Sequence, residues 1–231
     1  SAEIITIQED IASLEQELGK VIFERDEMLN TVKPNLEAEY QKKIGYKELK
    51  RMETEITARR YKRQVELIRA AVNRQESIEE KDIAKQLDNE FQEWYKKINE
   101  QYEKVKEAEA RLNNLMSDDD NVEFKKLYRQ LVFKLHPDLN PNQTKDEENL
   151  WHRVQLTYKS GDLEEMRSLI IILESKDGSI ELPSSKDILE KRKTKLAEQI
   201  QKIIGSLSDM EKEFPFTIAK NLSDKDWVSN K

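Results

Sequence analysis

The sequence lacks cysteine and has little histidine, which excludes several kinds of chemistry. Without cysteine there is no disulfide and no thiolate metal ligand, and this composition fits a reducing compartment. Only 2 histidines, His136 and His152, are available for metal binding or for a catalytic triad. The sequence also has no Gly-rich phosphate loop and no Gly-x-Ser-x-Gly elbow. We therefore expect a protein that is not an enzyme and that holds no metal or cofactor.

Glycine and long apolar runs are scarce as well. The chain has 5 glycines in 231 residues and 38% of its residues are charged, which favours long solvated helices over β-structure. A hydrophobic content of 36% fits narrow apolar seams between helices. No apolar run approaches the length of a membrane span, and no signal-peptide pattern is present. We expect an all-α, cytoplasmic protein that does not bind a membrane.

The charge is acidic overall but uneven along the chain. A net charge of −7 argues against nonspecific nucleic-acid binding. Basic residues nevertheless outnumber acidic ones between residues 42 and 74. One interpretation, which we favour, is that this basic helix face pairs with acidic residues of neighbouring helices, such as those of residues 100–109. The other is a docking surface for an acidic partner protein.

Three long helical patterns fill residues 1–116. The first, over residues 3–33, repeats apolar residues at spacings of three and four, as a coiled-coil seam does. The second runs over residues 35–75, and its seam is Leu36, Tyr40, Ile44, Leu49, Met52, Ile56, Tyr61, Val65, Ile68 and Val72. The third covers residues 78–116. Short reversals expected at Pro34 and near Ser77 would make neighbouring helices antiparallel, so we predict an antiparallel coiled-coil arm.

The C-terminal part, residues 176–231, is predicted to be a linker, one amphipathic helix and a tail. The helix pattern over residues 186–213 again alternates spacings of four and three. A lone seam needs a partner, so this helix must pack on the arm, on the preceding segment or on another chain. Residues 217–231 are expected to form a tail. The seams leave two oligomeric states open, a monomer and a coiled-coil dimer.

Between these parts, residues 117–175 contain a tripeptide flanked by two helical patterns. The upstream pattern has apolar residues 124, 127, 128, 131 and 135 at helical spacing and basic residues on its other faces. Next comes His136-Pro137-Asp138, in which Pro137 removes a backbone donor and ends the helix. A turn cluster follows, and a second helix pattern then carries Trp151, Val154 and Tyr158. The sequence therefore predicts a helix, an exposed rigid loop and a helix.

These residues resemble the J domain of DnaJ-type co-chaperones. The family's second helix ends in Tyr-Arg-x-Leu-x-x-Lys-x-His-Pro-Asp, which this chain matches from Tyr128 to Asp138. Trp151, Val154 and Thr157-Tyr158 match the aromatic, aliphatic and small-Tyr positions of the family's third helix. The family's Tyr-x-x-Leu-Gly opening and its Gln-Lys-Arg run are missing, so the resemblance is to a divergent J domain. It covers about a quarter of the chain.

The resemblance implies a function as a co-chaperone that docks on a DnaK-type ATPase chaperone and stimulates its ATP hydrolysis. In the family, the Asp of the loop engages a basic group of the chaperone. The residues that would bind the chaperone here are His136, Pro137 and Asp138 in the loop, and Lys125, Lys126, Arg129 and Lys134 on the helix. The alternative is a structural or adaptor coiled-coil protein with a remnant J-like unit, whose helical arm binds a client or partner protein.

Overall fold

A computed structural model describes residues 2–77, 79–174 and 185–231, and within these ranges the chain is all-α, as predicted. No strand occurs in these ranges. The predicted linker falls largely at 175–184, outside the described residues. The helices are α1 (Ala2–Glu27), α2 (Lys33–Tyr40), α3 (Tyr46–Asn73), α4 (Glu80–Glu90), α5 (Gln92–Asn113), α6 (Asp118–Leu135), α7 (Lys145–Ser160), α8 (Leu163–Glu174), α9 (Lys186–Met210), α10 (Ala219–Leu222) and α11 (Lys225–Ser229). Among the described residues, no helix is both long enough and apolar enough to cross a membrane.

The helices form two compact units that divide the chain differently from the three predicted segments. Unit 1 comprises Ser1–Pro34 and Leu115–Thr217, and unit 2 comprises Asn35–Asn114 and Ile218–Lys231. The first predicted helix therefore belongs with the His-Pro-Asp segment in unit 1. The second and third predicted helices form unit 2 with the C-terminal residues.

In unit 1, α1 packs along α9, which answers the question of what covers the last seam. Lys186 pairs with Glu3 and Lys193 pairs with Asp10, both at 2.7 Å between charged atoms. The second pair lies seven residues after the first on both helices, so α1 and α9 run parallel. The apolar seam between them buries Ile7, Ile11, Leu18, Leu196, Ile200 and Ile203.

The other side of α1 lies antiparallel against α6. Near the end of α6, the Phe133 ring lies so close to Gly19 that an added Cβ would stand 2.3 Å from the ring. Near its middle, the Tyr128 hydroxyl donates a 2.6 Å hydrogen bond to the Asp26 carboxylate in the buried interior. The second oxygen of Asp26 accepts from Arg25 at 2.8 Å, so the buried carboxylate is satisfied on both sides.

In unit 2, α3 lies antiparallel to α4 and α5, so the predicted antiparallel arm is present for the second and third patterns. Ile56, Leu87 and Phe91 form its small buried core. Gln101, where the third seam departs from apolar residues, donates to Gln41 at 2.8 Å and to the Gly45 carbonyl at 3.1 Å. The basic stretch does pair with an acidic neighbour, but the partners are Asp88 and Glu90 of α4 rather than residues 100–109.

Two predictions about where helices begin and end differ from the structure, one at Pro34 and one in the expected tail. The reversal expected at Pro34 is not formed, because α2 includes Pro34 and follows a π-helical turn at Met28–Val32. A proline ring clashes with the carbonyl four residues back in a regular α-helix, and a turn with one extra residue relieves that clash. The expected tail contains α10 and α11, and their carbonyls accept hydrogen bonds from Lys43 and Lys47.

The buried glycine of α1 gives a stability prediction with a control in the same unit. Both Gly19 and Gly205 lie inside helices, where alanine is favoured by about 1 kcal/mol. A Cβ at Gly205 meets nothing within 4 Å, so Gly205→Ala should raise the free energy of unfolding by about that amount. Gly19→Ala should not, because Phe133 must move away. Urea unfolding tests this, and equal stabilisation by the two variants would contradict the contact between α1 and α6.

Candidate docking site

The His-Pro-Asp loop begins where α6 stops. The His136 N–H donates the last bond of the helix, to the Val132 carbonyl at 2.9 Å, and Pro137 has no N–H with which to continue it. The His136 carbonyl then accepts from the N–H groups of Leu139 and Asn140, at 3.0 and 2.9 Å. These bonds close the chain into a tight turn, so the rigid loop expected from the sequence has a local backbone cause.

The His136 imidazole is buried and fixes the shape of the loop. Its ring meets Trp151 of α7 edge to face, with centroids 5.1 Å apart. Its Nδ1 accepts a 3.1 Å hydrogen bond from the Asp138 N–H. A nitrogen that accepts carries no proton, so this contact requires the neutral ring. Burial lowers the pKa of His136 and favours the same neutral form, although the nearby Asp138 carboxylate acts in the opposite direction.

Because His136 points inward, the other two residues of the tripeptide face outward. Pro137 is exposed, and the Asp138 side chain keeps 38% of its surface accessible. Among the described ion pairs, the Asp138 carboxylate faces only the His136 ring, whose Nδ1 lies 3.9 Å away. Because that ring is neutral, it does not neutralise the charge of the carboxylate. The loop therefore presents a carboxylate to solvent on a backbone that is held from below.

A residue far away in the sequence, Arg192 of α9, anchors the same loop. Its guanidinium donates to the Leu139 carbonyl at 2.9 Å and to the Glu15 carboxylate of α1 at 2.5 Å. The Leu139 side chain is itself buried in the core of unit 1. The loop is thus held by α1, α7 and α9 together. Sequence reasoning missed Arg192, because a single arginine on the flank of a heptad pattern gives no signal of its target.

The four basic residues predicted on α6 differ in environment. Lys126, Arg129 and Lys134 are exposed, and Lys125 is half-buried. Lys125 forms an ion pair with Glu27 of α1, and the Arg129 guanidinium lies over the Phe23 ring, 4.0 Å from its centroid. The prediction that Tyr128 and Leu131 face the core is confirmed, since both are fully buried.

Two apolar side chains that the sequence analysis did not assign share this basic surface. Val122 and Phe133 are 69% and 39% exposed, and they line a shallow groove of about 560 Å³ with Lys126, Arg129 and Gln130. A second groove of about 830 Å³ continues from Phe133 and Arg129 to α1, where Gly19 and Phe23 line it. An off-seam phenylalanine in a basic helix was the signal available in the sequence. The surface combines positive charge, apolar contact area and a neighbouring carboxylate.

Comparison with known proteins identifies no relative of the chain. No family model, no curated protein and no solved structure matches the chain. Within the described ranges, no group of three or more His, Cys, Asp or Glu side chains is placed to hold a metal ion. The chemistry available to the site is therefore that of the loop and the surface of α6.

The buried imidazole predicts a pH effect on stability. A folded-state pKa below the unfolded value of about 6.5 means that the unfolded chain binds a proton that the folded chain excludes. The stability that neutral His136 contributes is present above that unfolded pKa and is lost progressively as the pH falls below it towards the folded-state pKa. His136→Gln should remove this part of the pH dependence, whereas His152→Gln, at an exposed position, should retain it. Urea unfolding at several pH values measures both, and identical pH profiles for the two variants would contradict a buried neutral imidazole.

Proposed function

We propose that the protein is a co-chaperone that docks on a DnaK-type ATPase chaperone and stimulates its ATP hydrolysis, acting in the cytoplasm. The observation that carries the proposal is the His136-Pro137-Asp138 loop, in which the histidine is buried and the aspartate is turned to solvent. This arrangement suits a carboxylate that must reach a basic group on a partner. The resemblance of residues 128–138 to a J domain supplies the class of partner.

The surface of α6 supports the proposal through its charge and its apolar residues. Lys126, Arg129 and Lys134 are exposed on α6, the helix that leads into the loop with Asp138. Exposed charges of one sign steer an oppositely charged partner. Val122 and Phe133 offer the apolar contact area that steering charges lack. Docking would therefore use positive charge on the helix and negative charge on the loop, which fixes the orientation of the partner.

A specific observation favours the second candidate, an adaptor with a remnant J-like unit. The predicted docking residues are engaged within the chain itself, Lys125 through Glu27 and Arg129 over Phe23 among them. Gln130 also stands where the family often has a further basic residue. An adaptor of this kind would bind partners through its helices and leave the ATPase rate of the chaperone unchanged.

Single-turnover ATP hydrolysis by a DnaK-type chaperone separates the two. The wild-type protein should raise the rate of hydrolysis. Asp138→Asn should reduce that stimulation by about tenfold or more, because it removes a charge-assisted contact with the chaperone worth about 1.4 kcal/mol or more. Asp119→Asn is the matched control, because it makes the same change at an exposed position at the start of α6. It should stimulate like wild type.

The charged surface can be tested in the same assay. Lys126→Glu should reduce stimulation more at low salt than at high salt, because exposed charges are screened beyond about 10 Å at 0.1 M. Equal rates with wild type, with Asp138→Asn and without the protein would contradict the co-chaperone proposal and favour the adaptor.

A further inference from the structure

The helix α3 of unit 2 has one side that packs and another that does not. Leu49 and Ile56 are buried, Leu67 packs on the same core, and Arg60 and Arg63 on this side reach Asp88 and Glu90 of α4. These residues are separated by multiples of about one turn, so they define the inner side of the helix. The remaining circumference of α3 is free to carry other contacts.

A stripe of four apolar residues lies on that outer circumference. Tyr61, Val65, Ile68 and Val72 are 66%, 46%, 37% and 61% exposed. At about 100° per residue they are centred roughly 130° away from the line through Leu49, Ile56 and Leu67. The sequence analysis had placed them in one seam with Ile56, and that prediction is wrong. The step from Ile56 to Tyr61 is five residues, which moves the pattern onto a different face.

The spacing of the stripe is that of a helix–helix interface. Its steps of four, three and four residues are those of d, a, d and a positions in a heptad, with β-branched Val65 and Val72 at a. At one end, Tyr61 and Tyr95 of α5 line a groove of about 180 Å³ with Gln64, where a side chain of a second helix fits. Isolated exposed apolar residues are ordinary, but four in heptad register along one face are not.

The charges beside the stripe indicate what kind of helix would cover it. In this register Lys62 and Arg69 occupy the e positions, and Gln64 and Ala71 occupy the g positions. Lys62 and Arg69 are exposed and enter no ion pair within the described ranges, in contrast to Arg59, Arg60, Arg63 and Arg74, which all have acidic partners. The flank therefore has a net positive charge: the carboxylate beside Lys62 and Arg69 is Glu66, which already pairs with Arg63 at 3.4 Å.

We propose that the outer face of α3, formed by Tyr61, Val65, Ile68 and Val72 between Lys62 and Arg69, binds an acidic amphipathic helix of a partner protein. Its apolar a and d residues would cover the stripe, and its Glu or Asp side chains would pair with Lys62 and Arg69. This surface lies wholly in unit 2, so the inference is independent of the chaperone-docking proposal.

A second copy of the chain fits this face less well. In an antiparallel pair the e positions meet each other, which would bring Lys62 and Arg69 against the same cations of the copy. In a parallel pair they would meet Gln64 and Ala71, which supply no opposite charge. The charge pattern therefore selects a different chain, one with acidic flanks.

Two designed peptides of about three heptads test the proposal. Both carry Ile at a and Leu at d; one has Glu at every e and g position, and the other has Lys. Fluorescence anisotropy with the full chain should show binding of the Glu peptide, weakened by salt, and no comparable binding of the Lys peptide. Val65→Glu should weaken binding of the Glu peptide by about tenfold or more. Ile171→Glu, which makes the same change at an exposed apolar residue of α8 in unit 1, should leave it unchanged.

Charge reversal gives the sharper arm of the experiment. The double variant Lys62→Glu and Arg69→Glu should shift the preference from the Glu peptide to the Lys peptide, with circular dichroism unchanged because both positions are exposed. Three results would overturn the proposal. They are equal binding or no binding of both peptides, binding of phosphatidylserine vesicles in place of the Glu peptide, and a wild-type dimer by light scattering that Val65→Glu dissociates.

Discussion

The contact between α1 and α6 is the interaction on which the rest of unit 1 depends. Tyr128 is fully buried, and its hydroxyl reaches Asp26 at 2.6 Å, while its ring stacks on Tyr158 with centroids 3.7 Å apart. A buried carboxylate without partners is costly, so Asp26, Arg25 and Tyr128 hold one another in a single arrangement. Burial and the neighbouring Asp26 carboxylate raise the pKa of Tyr128, which keeps its hydroxyl protonated as the donor. The first helix of the chain thus completes the core of a segment about a hundred residues later.

The helix α1 also holds the His-Pro-Asp loop, through Arg192 of α9. Arg192 joins Leu139 of the loop to Glu15 of α1, and the parallel seam between α1 and α9 holds both ends of this link in register. With His136 packed on Trp151, the loop has supports from three helices. A loop held in this way would lose little conformational entropy on binding a partner, so its rigidity is compatible with the proposed docking.

Much of this could be predicted from the sequence, and the misses have physical causes. Heptad spacing and composition predicted helices at nearly every position, and Pro137 predicted the end of α6. A heptad seam does not name its partner, so the pairing of α1 with α9 could not be predicted. Pro34 failed as a stop signal because a π-helical turn precedes it. At the site, the loop was expected to be exposed throughout, but His136 is buried against Trp151 of α7. Its burial, like the roles of Arg192 and Glu27, depends on which helices meet.

The claim that α1 and α9 complete the core around the loop can be tested with a fragment of residues 115–174, which keeps α6, α7, α8 and the loop. Trp151 is the only tryptophan in that fragment, since the other two are Trp94 and Trp227. Its fluorescence during urea unfolding therefore reports the environment of His136 directly. The account predicts a solvent-exposed emission maximum and no cooperative transition for the fragment, against a buried maximum for Trp151 in the full chain when Trp94 and Trp227 are replaced by Phe. A buried emission maximum and a cooperative transition in the fragment alone would contradict it.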